Sequence, residues 1–162
     1  MSDILCIYYS RTGNTKRMME EISAALDAEL VELKDKVERG GTRGYLRCGL
    51  DAMRKTTDPL ELYETEKPLF AYRLVIVGTP VWAGRCSSVV RSFLRKQGGN
   101  LPDTAYVITR SGDSKFTEVY RQMDGYLHKP HLCDVSLRCN SVGCAFWQEE
   151  FIRTVKNHLA PE

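Results

Sequence analysis

Residues 4–22 read ILCIYYSRTGNTKRMMEEI. An apolar run from Ile4 to Tyr9 stops abruptly at Ser10, Arg11, Thr12, Gly13, Asn14 and Thr15, and an amphipathic stretch with Met18, Met19, Ile22 and Leu26 on one face follows. A near-continuous apolar run suits a strand covered on both faces, as in a parallel sheet. A helix that begins at Gly13 or Asn14 leaves its first four amides without intrahelical acceptors. The helix dipole adds partial positive charge there, and small hydroxyl side chains beside a glycine let an anion come close. Two readings fit this stretch alone. Either it cradles a phosphate, or Ser10 or Thr12 simply caps the helix while Gly13 eases the turn.

Other phosphate motifs are ruled out by their letters. The chain lacks G-x-x-x-x-G-K-[ST] and also lacks G-x-G-x-x-G. A phosphatase loop with a thiolate nucleophile needs one residue more than the four that separate Cys6 from Arg11. Cys6 also lies inside the apolar run, where a free cysteine acts as a small hydrophobe.

Working outward, four further runs read as strands: 29–33, 74–78, 105–109 and 132–137. Helical stripes fall between and after them, at Val89, Val90, Phe93 and Leu94, at Phe116, Val119, Tyr120, Met123 and Leu127, and at Trp147, Phe151, Val155 and Leu159. Strand alternating with helix predicts right-handed crossovers and an open, doubly wound α/β sheet in a single domain, 1–162. The segment 34–62 reads as a long connection, polar and glycine-bearing at first, then a short surface helix packed through Leu46 and Leu50, with Met53 on the same side.

Composition narrows the class. The apolar fraction is 43% and the net charge +2, ordinary for a globular chain and unlike a basic nucleic-acid binder. The apolar runs are far shorter than the roughly 20 residues of a membrane helix, so no membrane partner is expected. Asp3 stands where a signal peptide would be basic, and six cysteines without a secretion signal predict reduced thiols and a cytoplasmic location. His131, Cys133, Cys139 and Cys144 lack a C-x-x-C knuckle, and no metal is expected.

Residues 78–94, GTPVWAGRCSSVVRSFL, again end a strand in a loop and open a helix, with Trp82 between Pro80 and Gly84. Trp82 alone reads as a loop residue folded onto the core. In a doubly wound sheet, however, ligands bind in the crevice outside the carboxyl ends of strands at the switch in strand order. A phosphate cradle on one such loop and an indole on its neighbour describe a ligand with a phosphate tail and a flat ring.

These features resemble the flavodoxin family. SRTGNT is similar to its FMN-phosphate loop, TPVWAG to the loop against the isoalloxazine, and TRSGDS, residues 109–114, takes the place of the third flavin loop. The resemblance spans the domain and implies a flavodoxin-like five-stranded parallel sheet of order 2-1-3-4-5 with helices on both faces. It also implies FMN as cofactor. Ser10, Thr12, Asn14 and Thr15, with amides of Arg11 and Gly13, would hold the phosphate. Pro80, Val81, Trp82, Ala83 and Gly84 would line the ring, and Thr109, Arg110, Ser111, Gly112 and Asp113 would edge its pyrimidine end and the ribityl chain.

Departures from the family pattern bear on function. The chain lacks the acid excess typical of carrier flavodoxins, Arg11, Arg85 and Arg110 lie in or beside the three loops, and the third loop has no aromatic before Phe116. An open ring face beside arginines implies a NAD(P)H-dependent flavin reductase acting on quinone-like or other small acceptors. The alternative is a one-electron carrier between redox partner proteins. The insert 40–55 either places Tyr45 or Arg47 over the phosphate loop or is an ordinary surface helix.

Overall fold

Side chains alternate across a strand, and both faces of the central strands here are apolar. In β1 (Ile4–Tyr8), Leu5 and Ile7 enter one core cluster, while Ile4, Cys6 and Tyr8 enter the other. β3 (Leu74–Trp82) divides likewise, with Val75 and Val77 opposite Leu74 and Ile76. β5 (Thr104–Arg110) sends Tyr106 and Ile108 one way and Ala105 and Val107 the other. Strands buried on both sides must lie between two helical layers. The computed structural model describes residues 2–55 and 59–162.

α1 (Asn14–Leu26) and α5 (Cys144–Leu159) cover one face; α3 (Ser88–Gln97) and α4 (Glu118–Asp124) cover the other. With β2 (Glu29–Glu32) and β6 (Cys133–Arg138) at the edges, the order is β2-β1-β3-β5-β6, with every pair along this path parallel. This is the five-strand doubly wound order that the family resemblance implies. Among the described residues, no helix is long and apolar enough to cross a membrane.

Three local expectations are corrected. First, the run 74–78 does not end in a loop. β3 continues through Trp82 and folds back as an antiparallel hairpin onto β4 (Arg85–Cys86), with Val81 opposite Cys86 and Trp82 opposite Arg85. The turn residues Ala83 and Gly84 have φ of 48° and 72°, the left-handed pair that a tight hairpin needs. Pro80 is accommodated inside β3. β3 pairs with β1 only as far as Gly78, so beyond that point one side of β3 is an edge, where proline costs no ladder hydrogen bond.

Second, the stripe Trp147–Phe151–Val155–Leu159 is only partly the packed face of α5. Phe151 and Val155 are buried, but Trp147 is 48% exposed, and Cys144 and Gln148 take the inward positions of that turn.

Third, α2 (Gly41–Met53) presents the opposite face from the one its apolar periodicity predicts. Gly44, Cys48, Asp51 and Ala52 are buried, whereas Leu46 and Met53 are 64% and 63% exposed, with Tyr45 and Leu50 also outside. The cause is electrostatic. Arg39 is buried, its guanidinium contacts Asp35 at 2.7 Å and Asp51 at 3.0 Å, and the inward turn of α2 supplies the second of these carboxylates.

His131 fastens edge strand β6 to α4. Its Nδ1 lies 2.8 Å from Asp124 and its Nε2 2.7 Å from Asp134, and the ring stacks on Tyr106 at 4.5 Å. Burial works against its charge, but hydrogen bonds to Asp134 and Asp124 outweigh burial and raise its pKa above the ordinary value.

Candidate functional site

The loop after β1 is a closed turn rather than a capped helix start. Ser10 Oγ accepts from the Gly13 amide at 3.1 Å, Gly13 has φ 100°, and no side chain caps α1. The Ser10 hydroxyl thus shapes the turn, and no side chain takes up the free amides of the first helical turn. Thr12, Gly13 and Asn14 are exposed around that opening. Thr15 is 2% exposed, and its hydroxyl shares a 2.7 Å hydrogen bond with the buried Thr109 hydroxyl.

Three contacts gather the loops after β1, β3 and β5. Thr15 meets Thr109; Tyr9 meets Trp82 edge-on with ring centroids 5.4 Å apart; Pro80 is in register with Thr109. The residues expected from three separate sequence stretches are therefore brought close together at the carboxyl ends of the strands.

Several side chains do not stand where the sequence predicts. Trp82 is only 8% exposed and belongs to the core. Tyr9 meets it edge-on and the Arg39 guanidinium lies over its ring at 5.0 Å, so the indole is not an open stacking platform. Pro80, Val81, Ala83 and Gly84 are the more accessible members of that loop.

The arginines are also committed to protein acceptors. Arg11 donates to the carbonyls of Arg39 (2.9 Å) and Gly41 (3.0 Å), and its guanidinium sits 5.5 Å from the Tyr45 ring centroid. Arg110 donates to Ser136 Oγ at 2.9 Å and to the Gly112 carbonyl at 2.5 Å. Arg138 braces the same loop, donating to the Ser111 carbonyl at 3.1 Å and pairing with Asp113. Ser111, Gly112 and Asp113 are exposed. Arg85 lines a separate cavity of about 130 Å³ with Lys55, Cys86, Arg91, Gln122 and Tyr126.

The sequence gives no sign of the network behind this crevice. The Arg39 guanidinium contacts Asp35 (2.7 Å), Asp51 (3.0 Å), Cys48 Sγ (3.7 Å) and Ser88 Oγ (3.0 Å). Burial disfavours its charge, yet hydrogen bonds to Asp35 and Cys48 and the nearby carboxylate carry its pKa above that of free arginine. Burial likewise pushes the Cys48 thiol up, with Arg39 opposing. Of the two insert residues expected near the phosphate loop, Tyr45 meets it through Arg11. Arg47 instead pairs with Asp51 at 2.9 Å.

No family model and no curated protein matches the sequence. Solved structures do match. A Lactobacillus acidophilus NCFM flavoprotein in complex with FMN is 20% identical, with a TM-score of 0.68 over 91% of this chain and 99% of that one. A Bacteroides eggerthii DSM 20697 protein provisionally classed as a flavoprotein is 19% identical, with a TM-score of 0.76 over the whole of both chains. Two-electron reduced Megasphaera elsdenii flavodoxin is 15% identical, with a TM-score of 0.52 over 93% of this chain and 98% of that one. The fold is that of the flavodoxins. In a flavodoxin-like sheet of this order, the strand order reverses between β1 and β3, and residues 10–15 and 80–84 lie at the carboxyl ends of those two strands.

Proposed function

We propose that this protein binds FMN in the crevice and works as a redox protein, with NAD(P)H as electron donor and a quinone-like or other small molecule as acceptor. The observation that carries the reading is the side-chain-free start of α1, opening onto a crevice to which two neighbouring loops contribute. The residues fit the ligand. Amides of the first turn, with Thr12, Asn14 and Thr15, suit a phosphate dianion. Pro80, Val81, Ala83 and Gly84 would flank the ring, and Ser111, Gly112 and Asp113 would border its polar end and the ribityl chain. Bound flavin would supply the hydride and one-electron chemistry; the protein supplies position and polarity.

The reductase reading is supported by what does not cover the ring site. Trp82 is drawn into the core, and the loop of residues 109–113 contains no aromatic. A planar donor or acceptor would then find a face to stack on. The arginine argument from sequence carries less weight, because Arg11 and Arg110 are bound to protein oxygens. One observation favours the carrier alternative. Tyr45, Leu46, Leu50 and Met53 form an outward apolar face beside the phosphate loop, and such patches serve protein contacts.

The test is a visible absorption spectrum of the purified protein before and after FMN addition, followed by NAD(P)H oxidation with a panel of quinones. A saturable flavin spectrum with turnover is the expected result. A protein that takes up no FMN refutes the reading; FMN binding without turnover, together with a stable one-electron reduced form, turns it to the carrier.

A further inference from the structure

Arg39 joins several elements around the three loops and lies outside all of them. One set of its contacts anchors the insert, through Asp35, Asp51 and Cys48. A second set reaches both arms of the β3–β4 hairpin region. The guanidinium lies over the Trp82 ring and donates to Ser88 Oγ at 3.0 Å. Ser88 follows Ser87, whose amide donates to Thr79 Oγ1 at 2.9 Å and whose hydroxyl caps α3 at the Val90 amide. A third contact uses the Arg39 backbone, where the carbonyl accepts from Arg11 Nε of the phosphate loop at 2.9 Å.

We infer that Arg39 is a positioning residue for the flavin site, holding the phosphate loop and the ring-side hairpin in fixed relation, so that segment 34–55 is a working part of the site. The inference rests on the FMN-binding reading. A planar guanidinium is needed for this arrangement because it donates in several fixed directions while its face lies on an indole. A lysine offers a point charge on a flexible stem and cannot do both. Asp35 and Asp51, with side chains 3% and 6% exposed, require a cation at this place whatever its shape. Charge compensation and positioning are therefore separable by substitution.

The experiment uses Arg39→Lys, which keeps the charge, and Arg39→Met, which removes it, both in a Trp147→Phe background so that Trp82 is the single tryptophan. FMN and riboflavin dissociation constants, Trp82 emission without ligand, and thermal unfolding are measured. Arg39→Lys is expected to fold and to bind both flavins at least tenfold more weakly, about the effect of one lost charge-assisted hydrogen bond. Trp82 emission should shift to the red as the hairpin loosens and water reaches the indole. Arg11→Ala should weaken FMN but not riboflavin, since it cuts only the tie to the phosphate loop. If Arg39→Lys lowers thermal stability but keeps wild-type flavin affinities and Trp82 emission, Arg39 is structural only and the inference is overturned. If the unmodified protein binds no FMN, the flavin reading itself falls.

Discussion

Two glycines in α2 make a matched pair for testing how the insert is held. A Cβ built on Gly44 would lie 2.0 Å from the Arg39 carbonyl carbon and 2.1 Å from its oxygen, about 1.4 Å short of ordinary contact. Both clashing atoms are backbone, so no side chain can rotate to relieve them. Gly44→Ala must therefore part the helix from residue 39. That motion pulls Asp51 away from Arg39, which it reaches at 3.0 Å, and shifts the carbonyl that receives Arg11. Overpacking costs about 1–3 kcal/mol, and breaking a buried ion pair costs about 3–5 kcal/mol. Because relief of one aggravates the other, the net penalty should be about 3–5 kcal/mol, or a melting temperature lower by about 10 °C for a chain of this size. Gly49 lies on the same helix with nothing within 4 Å of its built Cβ. Gly49→Ala should therefore stabilise by about 0.5–1 kcal/mol through backbone entropy. The assay is thermal unfolding by circular dichroism of both variants beside the parent protein. A Gly44→Ala protein melting within about 2 °C of the parent would refute the close packing of α2 on Arg39.

Other outcomes follow from the same geometry. On the proposed FMN reading, Thr12→Ala with Asn14→Ala should weaken FMN about tenfold, leave riboflavin within about twofold and barely move the melting temperature, because both side chains are exposed and are assigned to the phosphate; equal losses for the two flavins would contradict that assignment. The folded-state pKa of His131 is raised, so its contribution is full below the unfolded value of about 6.5 and disappears as pH rises through the higher folded value. The melting-temperature gap between wild type and His131→Asn should accordingly narrow as pH climbs from 6, and a gap that widens would count against the Asp124–His131–Asp134 clamp. Leu50→Gln and Met53→Gln should each change stability by less than about 0.5 kcal/mol, as surface substitutions do; a cost of several kcal/mol in urea titrations would mean that this face of α2 is buried after all.

Much of the site is legible along the chain because its parts are local. A polar burst between an apolar run and an amphipathic helix marks a strand-to-helix turn wherever the remaining chain goes, and Gly13 and Asn14 mark the helix start correctly. Trp82 was harder to read. It reads as a loop residue but ends β3 in the hairpin, and whether an indole covers a ligand or the core depends on what packs beside it, here Tyr9 and Arg39. The arginines posed the same problem. Arg11 sits in its loop and Arg110 at the end of β5, yet each finds carbonyl or hydroxyl partners far along the chain.

What the sequence determined by itself was the sheet and its two helical layers. Apolar runs in the central strands can be buried only between two covers, and short-range periodicity reports that need directly. The inward face of α2 was decided only by tertiary structure. Its own periodicity favours Leu46, Leu50 and Met53, but a charge buried at Arg39 must be paired, and Asp51 lies on the other side of the helix. Turning Asp51 outward would break a buried ion pair of Arg39, and that pair exists only once the chain is folded.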